Sequence, residues 1–216
     1  MADVYKTVYK PAQGQIEEKK SKFIATVCSA STKEDAEQFI AEVKKKYPDA
    51  RHNCSAYILG EEGQIMHSSD DGEPAGTAGK PMLEVLMGEG LTNTAVVVTR
   101  YFGGILLGTG GLVRAYTQAT KAGLMEAGQI EKRKGYSVNI TLGYTDVGKM
   151  QYLVRQHGYT ELSCQYEADV KYCVLVDKSA YETFEKQLTE SFSGRIMVAD
   201  KSEVLYGIYE NKPIIF

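Results

Sequence analysis

Two short stretches concentrate the residue types that chemistry uses. The first, Asp70-Asp71-Gly72-Glu73-Pro74-Ala75-Gly76-Thr77-Ala78-Gly79-Lys80-Pro81, packs three carboxylates, three glycines and two prolines into twelve residues. Mg²⁺ is commonly held by one or two carboxylates plus phosphate oxygens, which Asp70, Asp71 and Glu73 could supply. The same oxygens can instead accept backbone N–H bonds inside the turn, and that is the preferred reading. A Ca²⁺ loop does not match, because Gly72 comes too early. The second stretch is Gly108-Thr109-Gly110-Gly111 at a helix start, where free N–H groups and the helix dipole favour an anion. It lacks the Lys-Ser/Thr of a phosphate loop, since Thr109 and Gly110 follow Gly108, and Val113 breaks the dinucleotide fingerprint. Glycines that let strand and helix pack closely are the preferred reading there.

Two arginines flank these loops. Arg100 follows an apolar strand and Arg114 lies in the first turns of the glycine-opened helix. A guanidinium at such a strand exit suits a phosphate or carboxylate, or equally pairs with Asp70, Asp71 or Glu73 and locks the loop to the sheet. His67-Ser68-Ser69-Asp70 has the residue types of a hydrolase triad, but sequence neighbours rarely reach that geometry and no G-x-S-x-G elbow is present.

The bulk composition sets the frame for these residues. The chain has 216 residues, 43% hydrophobic and 25% charged, enough for two small globular domains. No stretch approaches the ~20 apolar residues of a membrane helix, and the first residues lack a signal-peptide layout. A soluble cytoplasmic protein without membrane association is expected. Cys28, Cys54, Cys164 and Cys173 form no C-x-x-C pair and are expected as free thiols; neither metal nor cofactor is expected. Net charge is −3 and neither half is basic, so any nucleic-acid contact must use a local patch.

The elements that must position the loops are legible from periodicity. Residues 21–28 read as a strand, and a helix over 32–47 is marked by Ala36, Phe39, Ile40, Val43 and Tyr47, with Ser31 and Glu34 in capping-box spacing. A polar lead-in precedes the strand over 14–20. Short strands at 55–59 and 64–66 flank a Gly60–Gly63 turn. Residues 82–87 form a short helix with Pro81 at its first position. Ala95–Thr99 is a strand covered on both faces, and a helix runs over 111–127. The polar run 129–135 reads as a break, giving domains 1–130 and 131–216. Beyond it the order strand 136–144, helix 146–157, strands 161–167 and 169–177, helix 180–191, strand 195–207 is the β-α-β-β-α-β series of a ferredoxin-like domain. The fold class is therefore mixed α/β, of the α+β kind. Nine of the fifteen tyrosines fall in the second half, where they can sit half-buried.

Residues 71–81, together with Val97-Val98-Thr99-Arg100-Tyr101-Phe102-Gly103-Gly104-Ile105-Leu106-Leu107-Gly108-Thr109-Gly110-Gly111-Leu112-Val113-Arg114-Ala115-Tyr116, resemble the signature of the IMPACT/YigZ family. The resemblance covers roughly residues 15–128, and the second half looks like the extra domain of bacterial members. It implies a first domain with the left-handed β-α-β fold of a small-subunit ribosomal protein, and a second resembling the C-terminal domain of elongation factor G. In eukaryotic relatives the matching domain, joined to an RWD domain, restrains an amino-acid-starvation kinase by competing for its coactivator; no RWD segment is seen here, so only the fold and a link to translation are expected to carry over. The expected function is that of a translation-linked regulator or binding module contacting RNA, the ribosome or a translation factor, more a binder than an enzyme. Its candidate binding residues are Asp71, Glu73, Thr77, Lys80, Arg100, Tyr101, Gly103, Gly104, Gly110, Gly111 and Arg114, with no catalytic residue assigned. The alternatives are a small-molecule or phosphate-transfer enzyme using the acidic loop with Mg²⁺, and a protein–protein adaptor docking through the tyrosine-rich domain.

Overall fold

A computed structural model describes residues 4–216, which divide into two compact units meeting between Glu131 and Lys132. In the first unit the strands β1 (Val4–Val8), β2 (Ala12–Glu18), β3 (Ser21–Ser29), β4 (His52–Leu59), β5 (Ile65–Ser69) and β6 (Thr94–Tyr101) accompany helices α1 (Lys33–Lys46), α2 (Gly79–Gly88) and α3 (Thr109–Ala127). Five strands make an antiparallel sheet in the order β2-β3-β6-β4-β5. Because β5 and β6 both run antiparallel to β4, they are parallel to each other, and α2 joins them in a β-α-β crossover.

Side-chain alternation decides which helix covers which face. Phe23, Ala25 and Val27 of β3, Cys54, Ala56 and Ile58 of β4, and Val96 and Val98 of β6 form one core with Met82 and Leu86 of α2 and Tyr116 and Ala119 of α3. Tyr57, Leu59 and Ala95 point the other way, to Ala36, Phe39 and Ile40 of α1. The β6 residues from Thr94 to Arg100 are all buried, as a β-branched run between two helix layers must be.

Three details differ from the sequence expectation. The α1 cap is Thr32 with Asp35, one residue later than Ser31 with Glu34: the Asp35 N–H donates to Thr32 Oγ1, and the Thr32 N–H donates to the Asp35 carboxylate. Most of the polar lead-in over 14–20 belongs to strand β2; an edge strand with a solvent-facing side carries polar residues while its ladder to β3 satisfies the backbone. Helix α2 begins at Gly79, so Pro81 is its third residue rather than its first.

Gly14 makes β2 fit under α3. A Cβ there would lie 2.4–2.5 Å from backbone atoms of Ala122 and Gly123, which cannot swing aside. Gly14→Ala is therefore expected to destabilise the first unit by roughly 1–3 kcal/mol through overpacking. A urea melt of the variant checks this, and an unchanged midpoint would show that helix and strand can separate freely.

In the second unit β7 (Gln129–Leu142), β8 (Thr160–Tyr166), β9 (Val170–Asp177), β10 (Val198–Tyr209) and β11 (Lys212–Ile215) accompany α4 (Val147–Gln156) and α5 (Tyr181–Phe192). The order β10-β7-β9-β8, all antiparallel, is the ferredoxin-like arrangement, with β11 added as a hairpin on β10. The polar run 129–135 is not a break in secondary structure. It is the first half of β7, whose Lys132 and Lys134 pair with Gly207 and Leu205 of β10. Tyr136, Tyr159, Tyr172 and Tyr181 pack in or against the core of this unit, which accounts for much of its tyrosine content. Among the described residues no helix is long and apolar enough to cross a membrane.

Candidate nucleic-acid interface

The loop over 70–78 folds around its own carboxylates. Asp70 accepts from the N–H groups of Gly76, Ala78 and Gly79 at 2.8–3.0 Å. Burial alone raises the Asp70 pKa, but these three N–H groups outweigh it and hold the carboxyl below its ordinary 3.8. Asp71, at φ +44°, accepts from the Asn53 N–H at 2.7 Å and from Lys44 Nζ at 2.6 Å, tying the loop to β4 and to the end of α1. Its pKa is likewise lowered: burial pushes upward, and Lys44 with the Asn53 N–H prevails. Thr77 is buried and donates to the Pro74 carbonyl.

Glu73 is the keystone. Its side chain is 3% exposed and lies 2.6 Å from Arg100 Nη1, itself 8% exposed. Tyr116 Oη donates to the same carboxylate oxygen at 2.9 Å. Strand parity explains the meeting. Arg100 follows Val96 and Val98 on the α2/α3 side of β6, so the 70–78 loop and Tyr116 of α3 close over its head. The Cys54 sulfur, 3.3 Å from Tyr116 Oη and 2.9 Å from the Asp70 carbonyl oxygen, completes a buried polar cluster. Burial pushes the Cys54 thiol up to about 12, so it is an inert thiol. Arg100 thus takes the second of its two expected roles, locking the loop to the sheet. All three loop carboxylates are engaged by protein donors, and among the described residues no group of three His, Cys, Asp or Glu side chains is arranged for a metal ion.

What reaches solvent at this end of the sheet mixes cations, apolar side chains and carboxylates: Glu17 and Glu18 flank the β2–β3 tip, and Asp49 is exposed. Gly103 backs onto the β2–β3 turn so closely that a Cβ would lie 2.0 Å from the Lys20 carbonyl carbon. The turn residues Lys19 and Lys20 both hold positive φ, +46° and +65°, where a two-residue hairpin turn favours Asn-Gly. Two lysines are therefore presented at the tip in a backbone conformation that Lys adopts at a cost. Lys22, Arg51 and Arg114 are exposed, as are Lys80, Gly104 and Gly110, while Gly111 is half-buried. Gly108 caps α3 without a side-chain hydrogen bond. Phe102 is 54% and Leu106 82% exposed.

Between these groups lies a cleft of about 440 Å³ lined by Asp49, Arg51, His52, Arg100, Tyr101, Phe102 and Leu106. Tyr101 Oη donates to Asp49 at 2.8 Å, and that carboxylate holds the phenol above its ordinary 10. Sequence reasoning selected Arg100 and Tyr101 but missed Asp49, Arg51, His52, Phe102, Leu106 and the Lys19-Lys20 tip. The available signal was charge: Lys19-Lys20-Ser21-Lys22 and Lys44-Lys45-Lys46 are the densest basic runs of the first half. A larger groove of about 780 Å³ in the second unit is bordered by Glu182, Glu185 and Glu190 against Lys186, a charge balance that suits phosphate poorly.

Residues 19–124 match the Impact N-terminal domain, and residues 140–195 match a domain of unknown function, DUF1949. The chain is 39% identical over 195 residues to IMPACT family member YvyE of Bacillus subtilis, covering 90% of each. The chain belongs to the IMPACT family. A second IMPACT family member, YigZ of Escherichia coli, is 36% identical over 182 residues, which are 83% of this chain and 89% of that one. The Protein IMPACT homolog of Schizosaccharomyces pombe shares 30% identity over 124 residues, 56% of this chain and 44% of that protein. A solved structure described as that of an hypothetical protein superposes with a TM-score of 0.60 at 34% identity, covering 92% of this chain and 97% of that one. The keystone Glu73–Arg100–Tyr116 and the 102–108 loop all fall inside the matched Impact domain.

Proposed function

We propose that this IMPACT-family chain is a cytoplasmic, translation-linked binding module that contacts structured or single-stranded RNA, on the ribosome or in a factor complex, through the basic end of its first unit. One observation carries the reading. Within the 70–78 loop Glu73 is paired with Arg100, Asp71 with Lys44, and Asp70 is held by three backbone N–H groups, while Lys19, Lys20, Lys22, Arg51 and Arg114 are exposed, five cations against the exposed Glu17, Glu18 and Asp49. A chain of net charge −3 thereby acquires a local positive surface beside exposed backbone N–H groups at the start of α3. Phosphate and 2′-hydroxyl recognition uses that combination. The reading as a phosphate-transfer enzyme loses its proposed metal ligands, since Asp70, Asp71 and Glu73 are committed elsewhere.

The test is an RNA-binding titration across a salt series, run beside ribosome co-sedimentation. Association should weaken linearly in log–log form as salt rises. Lys20→Ala and Arg51→Ala should each reduce that slope by about one phosphate contact. Absence of salt-dependent association with both RNA and ribosomes would overturn the proposal.

A further inference from the structure

We infer that the cleft at the end of β6 receives one unstacked ribonucleotide, its base against Phe102 and Leu106 and its phosphate toward Arg51, so that the basic end selects single-stranded over duplex RNA. The inference rests on the RNA reading above and narrows it.

The cleft has the volume of a small-ligand site, about 440 Å³. Phe102 forms an apolar wall that is 54% exposed, and Ile105 and Leu106 add 44% and 82% exposed side chains within the same short loop. Isolated exposed apolar residues are common; three within five positions, with the Phe102 ring among them and Arg51 lining the same cleft, offer a face on which a base can stack. The Arg100 guanidinium lies 5.7 Å from the Phe102 ring centroid and 5.4 Å from that of Phe23, so Phe102 rests against a fixed cation.

The polar groups of the cleft are complementary to a nucleotide. His52 Nδ1 is 2.9 Å from the Asp71 carbonyl oxygen, which can only accept, so Nδ1 carries the hydrogen and Nε2 is the ring nitrogen left for a ligand. Asp49 is an acceptor; it suits a ribose hydroxyl or an exocyclic amine and repels phosphate, which directs the phosphate toward Arg51. Arg100 Nε is buried with no acceptor among the described residues, although Nη1 is fully engaged by Glu73. Bases inside a duplex are stacked and cannot enter a cleft of this kind, whereas unpaired bases can be splayed onto an aromatic side chain.

Fluorescence anisotropy on the full chain tests this, with a short labelled oligoribonucleotide of unpaired mixed sequence and the same strand annealed to its complement. The single strand should bind on the order of tenfold tighter than the duplex, the scale of one base–aromatic stack. Phe102→Ala should abolish that preference and Phe102→Tyr should keep it. Phe102 is exposed, so neither change endangers folding. Equal affinity for both RNAs, unmoved by Phe102→Ala but weakened by Lys20→Ala, would overturn the cleft while leaving the RNA reading standing. Failure of either RNA to bind would remove the RNA reading and this inference with it.

Discussion

Replacing Glu73 by alanine is expected to destabilise the first unit by roughly 3–5 kcal/mol, the scale for removing one partner of a buried ion pair. The reason is what remains, not what is removed. The Arg100 side chain is 8% exposed and its Nη1 loses the carboxylate 2.6 Å away, while Tyr116 Oη loses its acceptor. Nε of the same guanidinium already lacks a partner, so the buried cation loses the main compensation for its burial. The pair itself is weak evidence of net stabilisation, because desolvating both charges offsets much of their attraction. A paired change to Glu73→Leu with Arg100→Met should therefore be less damaging than Glu73→Ala alone. Urea unfolding of the full chain followed by circular dichroism measures the loss. Hydrogen exchange over residues 70–79 should show the loop opening in the single variant. A Glu73→Ala midpoint corresponding to less than about 1 kcal/mol would mean that Arg100 finds water or another acceptor, and the keystone description would fall.

The second large effect concerns Asp70. Its carboxylate holds three backbone N–H groups, of Gly76, Ala78 and Gly79, the last two at the start of α2. Asp70→Ala leaves three donors open and should destabilise by roughly 3 kcal/mol, given that each hydrogen bond to a charged group contributes about 1.5–3 kcal/mol and that the loop regains some water contacts. The pH dependence has a definite sign. The folded-state pKa lies below the ordinary 3.8, so the unfolded chain binds the proton more readily. The contribution is complete above the unfolded value near 4 and is lost as pH falls through the lower folded value. Asp71 behaves in the same way through Lys44 and the Asn53 N–H. The contribution of these two groups should thus not vary with pH around neutrality, and unfolding midpoints should fall steeply under strong acid. Asp70→Asn should flatten the acid limb; the same acid slope in variant and wild type would assign the loss of stability to other carboxylates.

The sequence offered Glu73 as one of three carboxylates for Arg100 and turn N–H groups for the loop carboxylates, but could not assign which carboxylate takes which partner. The periodic apolar residues of α1 marked the helix, since a helix face repeats every three to four residues whatever lies opposite. Its cap was shifted by one because Ser31-Glu34 and Thr32-Asp35 both have the required spacing, and only the chain path into the helix chooses between them. The run 129–135 looked like a break because it is polar. In β7 Glu131 and Arg133 point outward while Lys132 and Lys134, on the other face, are half-buried, Lys132 over the Phe216 ring; the backbone is satisfied by β10, which lies some seventy residues later. Gly14 looked like part of a lead-in; its necessity comes from α3 crossing within contact distance of β2, which no local pattern encodes.

The candidate interface divides along the same line. By itself the sequence determined the family signature, the β6 run that must be covered on both faces, the α+β order of elements and the glycine-rich loops, because these depend on local spacing and composition. The tertiary structure alone decided that Arg100 belongs to Glu73 and Tyr116, that Asp70 and Asp71 face inward, and that Arg51, His52, Phe102 and Leu106 share a cleft. Charges and hydrogen bonds act over a few ångströms of space, and residues 27 to 62 positions apart reach that range only when the sheet brings the end of β6, the start of β4 and the α3 helix together.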